Sequence, residues 1–488
     1  MPKAIIVGAG LAGIASAIRL SIKGYEVAVY EANDYAGGKL SDFKQGDFRF
    51  DAGPSLFTMP QYVDELFELA GKNPKDDFEY EKLDTICKYF WDDKTTLTAF
   101  ADVDKFATEV EENTKSDAKE LKNFLKKSET IYDITHEVFL EKSLHLLNTY
   151  TNTNTAKSFL RFGEIDAFRT MAKANQSFFK DDKMVQYANR FATYNGSNPY
   201  KAPATLNIIP HLEQNFGAYF PKGGMYAITK SLVKLAEDLG VVFKYNIIVD
   251  DIVVEDKIVK GIKVKQQFIA ADVVISNMDV YFTYKKLLKD QKQPQQILKQ
   301  ERSSSALIFY WGIKQEFKQL SLHNIFFSNN YKQEFEAIFK DESICNDPTV
   351  YVNISSKYHI EDAPKGCENW FTMVNVPNNT GQNWETLIAE TRKNIIKKLN
   401  KNLEVDLENL IENESILDPR TIESKTSSFR GSLYGTSSNN QFAAFLRHAN
   451  FSKQIKNLYF VGGSVHPGGG IPLALLSAKI VADMVKEH

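Results

Sequence analysis

Three glycines near the start of the chain have the spacing of a site that binds a nucleotide phosphate. Gly8, Gly10 and Gly13 follow the apolar run 4–7 and open a helix-compatible segment. The first glycine allows a tight turn, the second lets the backbone approach a pyrophosphate, and the third permits close packing of helix on strand. The amides and dipole of the helix N-terminus would then hold the anion. The spacing therefore predicts a dinucleotide site.

An acidic residue follows where such a site requires one. Glu31 closes a second strand-like run, 26–30. A carboxylate there accepts hydrogen bonds from ribose hydroxyls and repels a 2′-phosphate, so FAD or NAD is favoured over NADP. A secretory signal peptide is the rival interpretation, because Lys3 precedes an uncharged stretch that reaches Ile18.

Two further glycine-rich segments could lie against the same cofactor. The glycines at 37–38 allow a loop to pass close to it, and Lys39 could neutralise a phosphate. Near the C-terminus, the glycines at 468–470 remove every side chain where a flat ring could lie against the backbone. Pro472 suits the first position of the helix that follows, whose positive end would face that ring.

The elements that position these residues must belong to more than one domain. The chain has 488 residues, too many for one ordinary core, with 43% hydrophobic and 25% charged residues. A formal net charge of -3 does not suggest nucleic acid as a partner. The three cysteines are far apart, which argues against a disulfide framework or a metal site and favours a reducing cytosol. No apolar run is long enough to span a bilayer, so any membrane contact would be peripheral.

Runs of β-branched and aromatic residues predict two sheets. A buried strand at 271–277 indicates that the nucleotide domain resumes after a long insertion, following a helix through about residue 239. Strands at 306–313, 349–355 and 370–376 suggest a second, antiparallel sheet. Further strands are predicted at 241–249, 252–255 and 259–264.

The insertion is charged and helix-friendly between residue 102 and about residue 154. After it, large apolar residues recur at steps of mostly three to four beside basic ones, as in an amphipathic helix. These residues are Phe159, Leu160, Phe162, Ile165, Phe168 and Met171. Such a helix either faces the core or lies on a membrane surface, and composition leaves both open.

Together, these segments resemble the bacterial carotenoid (phytoene-type) desaturases, a branch of the flavin amine oxidase superfamily. The resemblance is carried by the fingerprint with Glu31 and by residues 37–39, 50–54, 221–224, 277–279 and 462–472. It implies an α/β fold with a Rossmann-like FAD-binding domain of the glutathione-reductase/amine-oxidase type, an α+β substrate domain with an antiparallel sheet, and a helical, membrane-facing insertion. The expected boundaries are 1–75, 215–280 and 450–488 for the FAD-binding domain, 76–100 and 281–449 for the substrate domain, and 101–214 for the insertion.

The resemblance also implies a non-covalent FAD, with its isoalloxazine against residues 468–472 and Val249 beside the adenine. Lys39 stands where the family usually carries arginine, and lysine lacks the bidentate fork, which disfavours a direct pyrophosphate contact. No cysteine lies beyond Cys367, which excludes covalent attachment in the C-terminal motif. The implied cofactor-binding residues are Gly8, Gly10, Ala12, Gly13, Glu31, Gly38, Lys39, Gly53, Pro54, Ser55, Val249, Asn277, Met278, Gly463, Gly470, Ile471 and Pro472.

Within the family, segments 347–357 and 368–371 are most similar to the 3,4-desaturases that act on 1-hydroxycarotenoids. This implies that a C=C bond is introduced into an acyclic carotenoid end by hydride transfer to flavin and proton loss. A phytoene desaturase, a carotenoid isomerase or oxygenase, an amine oxidase and a flavin-free isoprenoid-binding escort protein stay open as alternatives. The expected partners are a carotenoid, a membrane surface and an external electron acceptor such as oxygen or quinone. The expected location is cytoplasmic, at the inner face of the membrane.

Several polar side chains are candidates for a role in the reaction. Asp166 and Arg169 resemble the family's Asp-x-x-Arg segment, whose polar groups are proposed to assist the reaction, although a surface ion pair is the alternative. His466 is a candidate base by location alone, and a histidine that holds a loop by hydrogen bonds is the alternative. A candidate site for a hydroxyl at the substrate's end consists of Asn353, Ser355, Ser356 and Lys357.

Overall fold

The computed structural model describes residues 1–151, 158, 160–440 and 442–487. The strands in these residues are β1 (Lys3–Val7), β2 (Glu26–Tyr30), β3 (Asp42–Gln45), β4 (Phe48–Asp51), β5 (Phe57–Thr58), β6 (Tyr80–Lys82), β7 (Thr85–Phe90), β8 (Thr96–Phe100), β9 (Ala218–Pro221), β10 (Val242–Lys244), β11 (Asp251–Glu255), β12 (Ile258–Val264), β13 (Gln267–Ala270), β14 (Val273–Ser276), β15 (Ser305–Ile313), β16 (His323–Phe326), β17 (Val350–Asn353), β18 (Glu368–Val376), β19 (Ile411–Leu417) and β20 (Leu458–Phe460).

The α-helices alternate with these strands over much of the chain. They are α1 (Leu11–Ile22), α2 (Gln61–Leu69), α3 (Pro74–Asp77), α4 (Val103–Asn113), α5 (Ala118–Phe139), α6 (Met171–Asn175), α7 (Asp182–Asn189), α8 (Ile209–Gln214), α9 (Ala227–Asp238), α10 (Val280–Phe282), α11 (Gln295–Leu298), α12 (Tyr331–Phe339), α13 (Trp384–Leu403), α14 (Pro419–Thr426), α15 (Ala443–Leu446) and α16 (Ile471–Met484).

A parallel sheet of five strands, in the order β10-β2-β1-β14-β20, carries the nucleotide fingerprint. The apolar residues of β1 are buried, as expected for a strand that is covered on both faces. Helices α1 and α16 pack together against this sheet. The segment 3–18 thus forms the sheet's central strand and first helix, so the signal-peptide interpretation is wrong.

The strand predicted at 241–249 is much shorter in the structure. Only Val242–Lys244 forms β10, because Asn246 adopts a left-handed backbone with φ 56° that ends the extended run. The chain then enters a small antiparallel sheet in the order β11-β12-β13.

The second large sheet has seven strands in the order β19-β15-β18-β17-β16-β7-β8. All neighbours are antiparallel except β16 and β7. Its outer face packs on α13 through Trp311, Trp370 and Trp384, which are at most 1% exposed. The α/β fold with a second, antiparallel sheet is confirmed. The exact domain boundaries stay a prediction.

The insertion contains the long helices α4 and α5, each capped by an aspartate side chain, but not the predicted amphipathic helix. The turn Phe162–Ile165 ends at Asp166, whose φ of 57° is left-handed, and α6 begins only at Met171. The prediction of one helix across this segment is therefore wrong, and Phe159 lies outside the described residues. Among the described residues, every helix is too short or too polar to cross a membrane.

Candidate active site

A cavity of about 1160 Å³ is lined by both large sheets. The carboxyl ends of β1, β2 and β14 line one part, which is where parallel sheets bind nucleotides. The seven-stranded sheet lines another part, and its strands β15, β16 and β18 do so with alternate residues, as the period of two requires. These residues include His323 and Ile325 of β16, Tyr351 of β17, and Phe371 and Met373 of β18. The volume of the cavity exceeds the range of about 300–1,000 Å³ that is usual for the pocket of one small ligand.

The predicted fingerprint forms a tight turn between β1 and α1. Gly8 has a φ of +99° and, like Gly10, lines the cavity. Gly13 does not line it: a Cβ atom there would meet the Gly8 carbonyl oxygen at 2.2 Å. The Gly13 N–H donates to Asn277 Oδ1 at 3.2 Å. Gly13 therefore permits the close packing of helix on strand, and Gly10 permits the close approach of the Asn277 side chain, which a Cβ atom would meet at 2.6 Å.

Glu31 ends β2 with both carboxylate oxygens directed at backbone donors. Its Oε2 accepts from Ala9 N–H at 2.7 Å, and its Oε1 accepts from Asn33 N–H at 2.9 Å. The Glu31 carbonyl oxygen also accepts from Ile247 N–H at 2.9 Å, which brings the segment that contains Val249 to the same place. Glu31 and Val249 both line the cavity. A carboxylate held in this way can accept further hydrogen bonds from ribose hydroxyls.

A second loop closes over the fingerprint. Gly37 N–H donates to the Ala9 carbonyl oxygen at 2.7 Å, and a Cβ atom at Gly53 would meet the Lys39 carbonyl oxygen at 1.7 Å. Lys39 Nζ donates to the carbonyl oxygens of residues 432 and 433 at 3.0 and 2.7 Å. Burial lowers the pKa of Lys39 to about 8, against the opposing effect of Asp279. Lys39 thus ties two chain segments together through its ammonium group.

The C-terminal glycine motif leads into α16. Gly470, with φ +111°, precedes the helix, and a Cβ atom there would meet nothing within 4 Å. A Cβ atom at Gly469 would instead meet the Tyr434 backbone at 2.8 Å. Pro472 is the second residue of the helix, not the first, because α16 begins at Ile471. The positive end of α16 therefore opens towards the cavity.

These residues fit a bound dinucleotide. Helices α1 and α16 are each preceded by a glycine N-cap, which offers no side-chain acceptor, and neither helix has an acidic residue in its first turn. Apart from Gly13 N–H, which donates to Asn277, the first N–H groups of these helices are therefore suited to an anionic acceptor. The predicted cofactor residues that line the cavity are Gly8, Gly10, Ala12, Glu31, Gly38, Lys39, Gly53, Pro54, Ser55, Val249, Asn277, Met278, Gly463, Gly470, Ile471 and Pro472.

Asp166 and Arg169 form an ion pair outside the large cavity. Arg169 Nη2 lies 2.5 Å from Asp166 Oδ2, and the arginine side chain is 47% exposed. Their neighbours Ala167 and Phe168 line the cavity, but the pair itself does not. The pair fixes the left-handed turn at Asp166. The structure therefore favours the alternative of a surface ion pair over a catalytic role.

His466 is also placed away from the cavity. Its side chain is 1% exposed, and its Nε2 lies 2.9 Å from the Lys142 carbonyl oxygen. Burial lowers the pKa of His466 to about 3, in spite of that hydrogen bond. The histidine holds the C-terminal motif against the insertion, and its position does not support the role of a base.

The structure does not support the predicted hydroxyl site at residues 353–357, because none of its four polar residues lines the cavity. Ser355 Oγ accepts from Asn369 Nδ2 at 2.7 Å and itself donates to Asp362. Asn369 Oδ1 accepts from Ser356 N–H at 2.9 Å. Lys357 Nζ is bound by a backbone carbonyl oxygen at 2.8 Å and by a glutamate at 2.5 Å. Asn353 Nδ2 donates to a backbone carbonyl oxygen at 3.1 Å. These groups stabilise the turn after β17 and are not available to a ligand.

The structure instead places a different set of buried polar side chains on the cavity wall. Arg190 Nη2 lies 2.5 Å from Glu213 Oε1, and Tyr351 Oη lies 2.7 Å from both Ser55 Oγ and His323 Nδ1. All five residues line the cavity. They come from five distant segments without a common motif, so no signal in the sequence identified them as a group.

Comparison with known proteins agrees with this geometry. The family described as flavin containing amine oxidoreductase matches residues 11–486. A 1-hydroxycarotenoid 3,4-desaturase from Flavobacterium sp. is 52% identical over 485 residues, which is 99% of both chains. A 4,4'-diapolycopene oxygenase from Methylomonas sp. is 32% identical over 99% of this chain and 98% of its own. A 4,4'-diaponeurosporene oxygenase from Staphylococcus aureus is 33% identical over 99% and 97%.

Solved structures show the same fold. An oxidoreductase from Methanosarcina mazei superimposes with a TM-score of 0.64 at 14% identity and covers 99% of both chains. Putrescine oxidase superimposes with a TM-score of 0.63 at 13% identity, over 99% of this chain and 98% of its own. At these identities, the likeness concerns the fold alone.

Proposed function

The chain belongs to the flavin-containing amine oxidoreductases, and from this membership we propose that it is a carotenoid desaturase that introduces the C-3,4 double bond into a 1-hydroxycarotenoid. FAD is its cofactor, as the family and the fit of the fingerprint indicate. The observation that carries the proposal is the 52% identity, over 99% of both chains, to a protein of that name.

The lining of the cavity supports an apolar, elongated substrate. Apart from the cofactor segments, most of the wall is aliphatic or aromatic. Apolar residues on it include Leu56, Ile86, Phe139, Leu140, Ile165, Leu206, Ile209, Leu212, Ile325 and Phe371. Such a wall excludes water and offers a polyene contacts along its length.

The reaction asks little of individual side chains. Removal of a hydride from a carbon beside a long polyene leaves a delocalised cation, and the neighbouring proton then leaves to a weak base. FAD, when bound, accepts the hydride, and an external acceptor such as oxygen or quinone must later take the two electrons. Gly470, where a Cβ atom would meet nothing within 4 Å, leaves open space on the cavity wall for the cofactor, and the apolar wall would fix the substrate's position.

The purified flavoprotein provides the test of this function. Under anaerobic conditions, a 1-hydroxycarotenoid in liposomes should bleach the flavin absorbance, and putrescine should not. Mass spectrometry should show a product that has lost two hydrogens. A product that has gained oxygen would instead show that the protein is an oxygenase. This outcome needs to be tested because two relatives with 32–33% identity are named as oxygenases. Flavin that stays oxidised with every carotenoid would contradict the proposal.

We also propose that the cavity opens at a membrane surface, on the cytoplasmic side. Phe168 and Phe442 line the cavity and are 80% and 55% exposed. Arg169 and Lys201 lie beside Phe168 around an adjoining smaller pocket. Exposed aromatic side chains next to basic ones are typical of surfaces that enter an anionic lipid interface.

Replacing both Phe168 and Phe442 with serine should reduce flotation of the protein with anionic liposomes. Each phenylalanine contributes about 1.5–3 kcal/mol when it is buried, so the partition coefficient should fall by about tenfold or more. Phe268→Ser is the matched control, because Phe268 is 54% exposed but does not line the cavity. Unchanged flotation of the double variant, with flavin retained, would show that this surface does not bind lipid.

A further inference from the structure

The cavity wall contains one histidine whose hydrogen bonding is incomplete. His323 is the first residue of β16 and is 3% exposed, and it lines the cavity. Its Nε2 has no hydrogen-bond partner among the described residues. Buried polar atoms without partners are rare in folded proteins, so this one calls for an explanation.

The partners of the other ring nitrogen determine where the proton is. Asn353 Nδ2 lies 3.2 Å from His323 Nδ1 and also donates to the Leu322 carbonyl oxygen at 3.1 Å, which fixes the orientation of the amide. An amide nitrogen is only a donor, so the contact with Asn353 is a hydrogen bond only in the tautomer in which His323 Nδ1 is the acceptor, and Tyr351 Oη can donate to the same nitrogen. Burial, assisted by Arg190, lowers the pKa of His323 to about 3, so the ring is neutral at physiological pH. With Nδ1 as the acceptor, the single proton of the neutral ring is on Nε2, and Nε2–H is then a donor without a partner among the described residues.

We propose that His323 Nε2–H donates a hydrogen bond to the hydroxyl oxygen at the end of the carotenoid and thereby determines substrate specificity. This inference rests on the proposed function and assigns the group that recognises the hydroxyl. A carotenoid with a hydrocarbon end in the same place would leave this donor unpaired. A site built to bind a hydroxyl therefore binds such a carotenoid much more weakly.

The location of His323 suits the distance between the hydroxyl and the reacting bond. A hydroxyl on carbon 1 is only two carbons away from carbon 3, so its binding group must lie near the cofactor. His323 Nδ1 is 2.7 Å from Tyr351 Oη, which in turn is 2.7 Å from Ser55 Oγ. Ser55 belongs to the loop 53–55 that lines the cavity with the fingerprint. Two hydrogen bonds thus connect His323 to the predicted cofactor loop.

The surroundings of His323 make this donor selective. Cys87 and Ile325 lie on the neighbouring parts of the same sheet face, and both line the cavity. Arg190 and Glu213 are paired with each other, so the charge of the arginine is balanced. A neutral donor in such a wall distinguishes an oxygen from a methyl group without attracting anions.

The test compares a 1-hydroxylated acyclic carotenoid with the same carotenoid lacking the hydroxyl, using flavin-loaded protein and liposomes. For the wild type, kcat/KM should be higher with the hydroxylated substrate. His323→Leu should reduce this preference by about ten- to one hundred-fold. His323→Gln can place an N–H near the Nε2 position and should retain most of it, whereas the shorter His323→Asn should not. The ratio of the equilibrium binding affinities for the two carotenoids should rank the variants in the same order as the ratio of kcat/KM values.

His359→Leu is the control, because His359 is a half-buried histidine that pairs with Asp362 and does not line the cavity. The ratio of its kcat/KM values for the hydroxylated and the plain carotenoid should equal that of the wild type. An equal loss on both carotenoids in His323→Leu, or equal ratios in the Gln and Asn variants, would overturn the role of His323 and leave the desaturase function standing. If flavin-loaded wild type turned over neither carotenoid, the proposed function itself would fail.

Discussion

Replacing Glu31 with alanine should give protein that loses most of its FAD during purification. The Glu31 carboxylate accepts from Ala9 N–H at 2.7 Å and from Asn33 N–H at 2.9 Å, and Glu31 is only 7% exposed. Each buried donor left without a partner costs about 1–3 kcal/mol. Because both donors hold the turn that binds the cofactor, FAD affinity should fall by at least about 30-fold, the ratio that 2 kcal/mol represents.

Titration of the apoprotein with FAD measures this effect, and two variants sharpen it. Glu31→Gln keeps one acceptor oxygen but turns an NH₂ group towards a backbone donor, so its affinity should lie between those of the wild type and Glu31→Ala. Glu26→Ala is the control, because Glu26 begins the same strand with a 65% exposed side chain. Equal FAD affinity in Glu31→Ala and Glu26→Ala would contradict the assignment of the ribose site.

Replacing Glu213 with leucine should destabilise the protein by about 3–5 kcal/mol, because it leaves the Arg190 charge buried without its partner. The two side chains are 2% and 3% exposed, and Tyr194 Oη completes the network with a hydrogen bond of 2.5 Å to Glu213 Oε2. Burial lowers the pKa of Arg190 and the Glu213 carboxylate raises it. Because a guanidinium group stays protonated in proteins, the arginine of the variant keeps its charge without a partner. Urea denaturation followed by fluorescence measures the change in midpoint.

Glu164→Leu is the matched control for this charge pair. Glu164 also pairs with an arginine, Arg161, but both side chains are 48% exposed, and such pairs contribute about 0–1 kcal/mol. The double variant with Arg190→Met and Glu213→Leu should recover part of the lost stability, because no charge then remains buried. Equal midpoints for Glu213→Leu and Glu164→Leu would show that the buried pair does not contribute as expected.

The amino-acid sequence by itself determined the cofactor part of the cavity. The turn from Gly8 to Gly13 and the acid at Glu31 lie within one strand-helix-strand unit, whose geometry is set by neighbouring residues. A glycine is needed there for a local reason: a Cβ atom at Gly13, for example, would lie 2.2 Å from the Gly8 carbonyl oxygen. Local requirements of this kind can be predicted from the types of the residues and their spacing, and the fold class was predicted from the same pattern.

Only the tertiary structure decided which polar groups line the rest of the cavity. The predicted site at 353–357 has polar residues in a row, but Ser355 and Lys357 are bound by other parts of the protein. His323 and Arg190 gave no signal in the sequence, yet they line the cavity. Whether a side chain keeps a free hydrogen-bonding group depends on its partners from distant strands and helices. That pairing is fixed when the sheets and the insertion pack together, and no local pattern in the chain contains it.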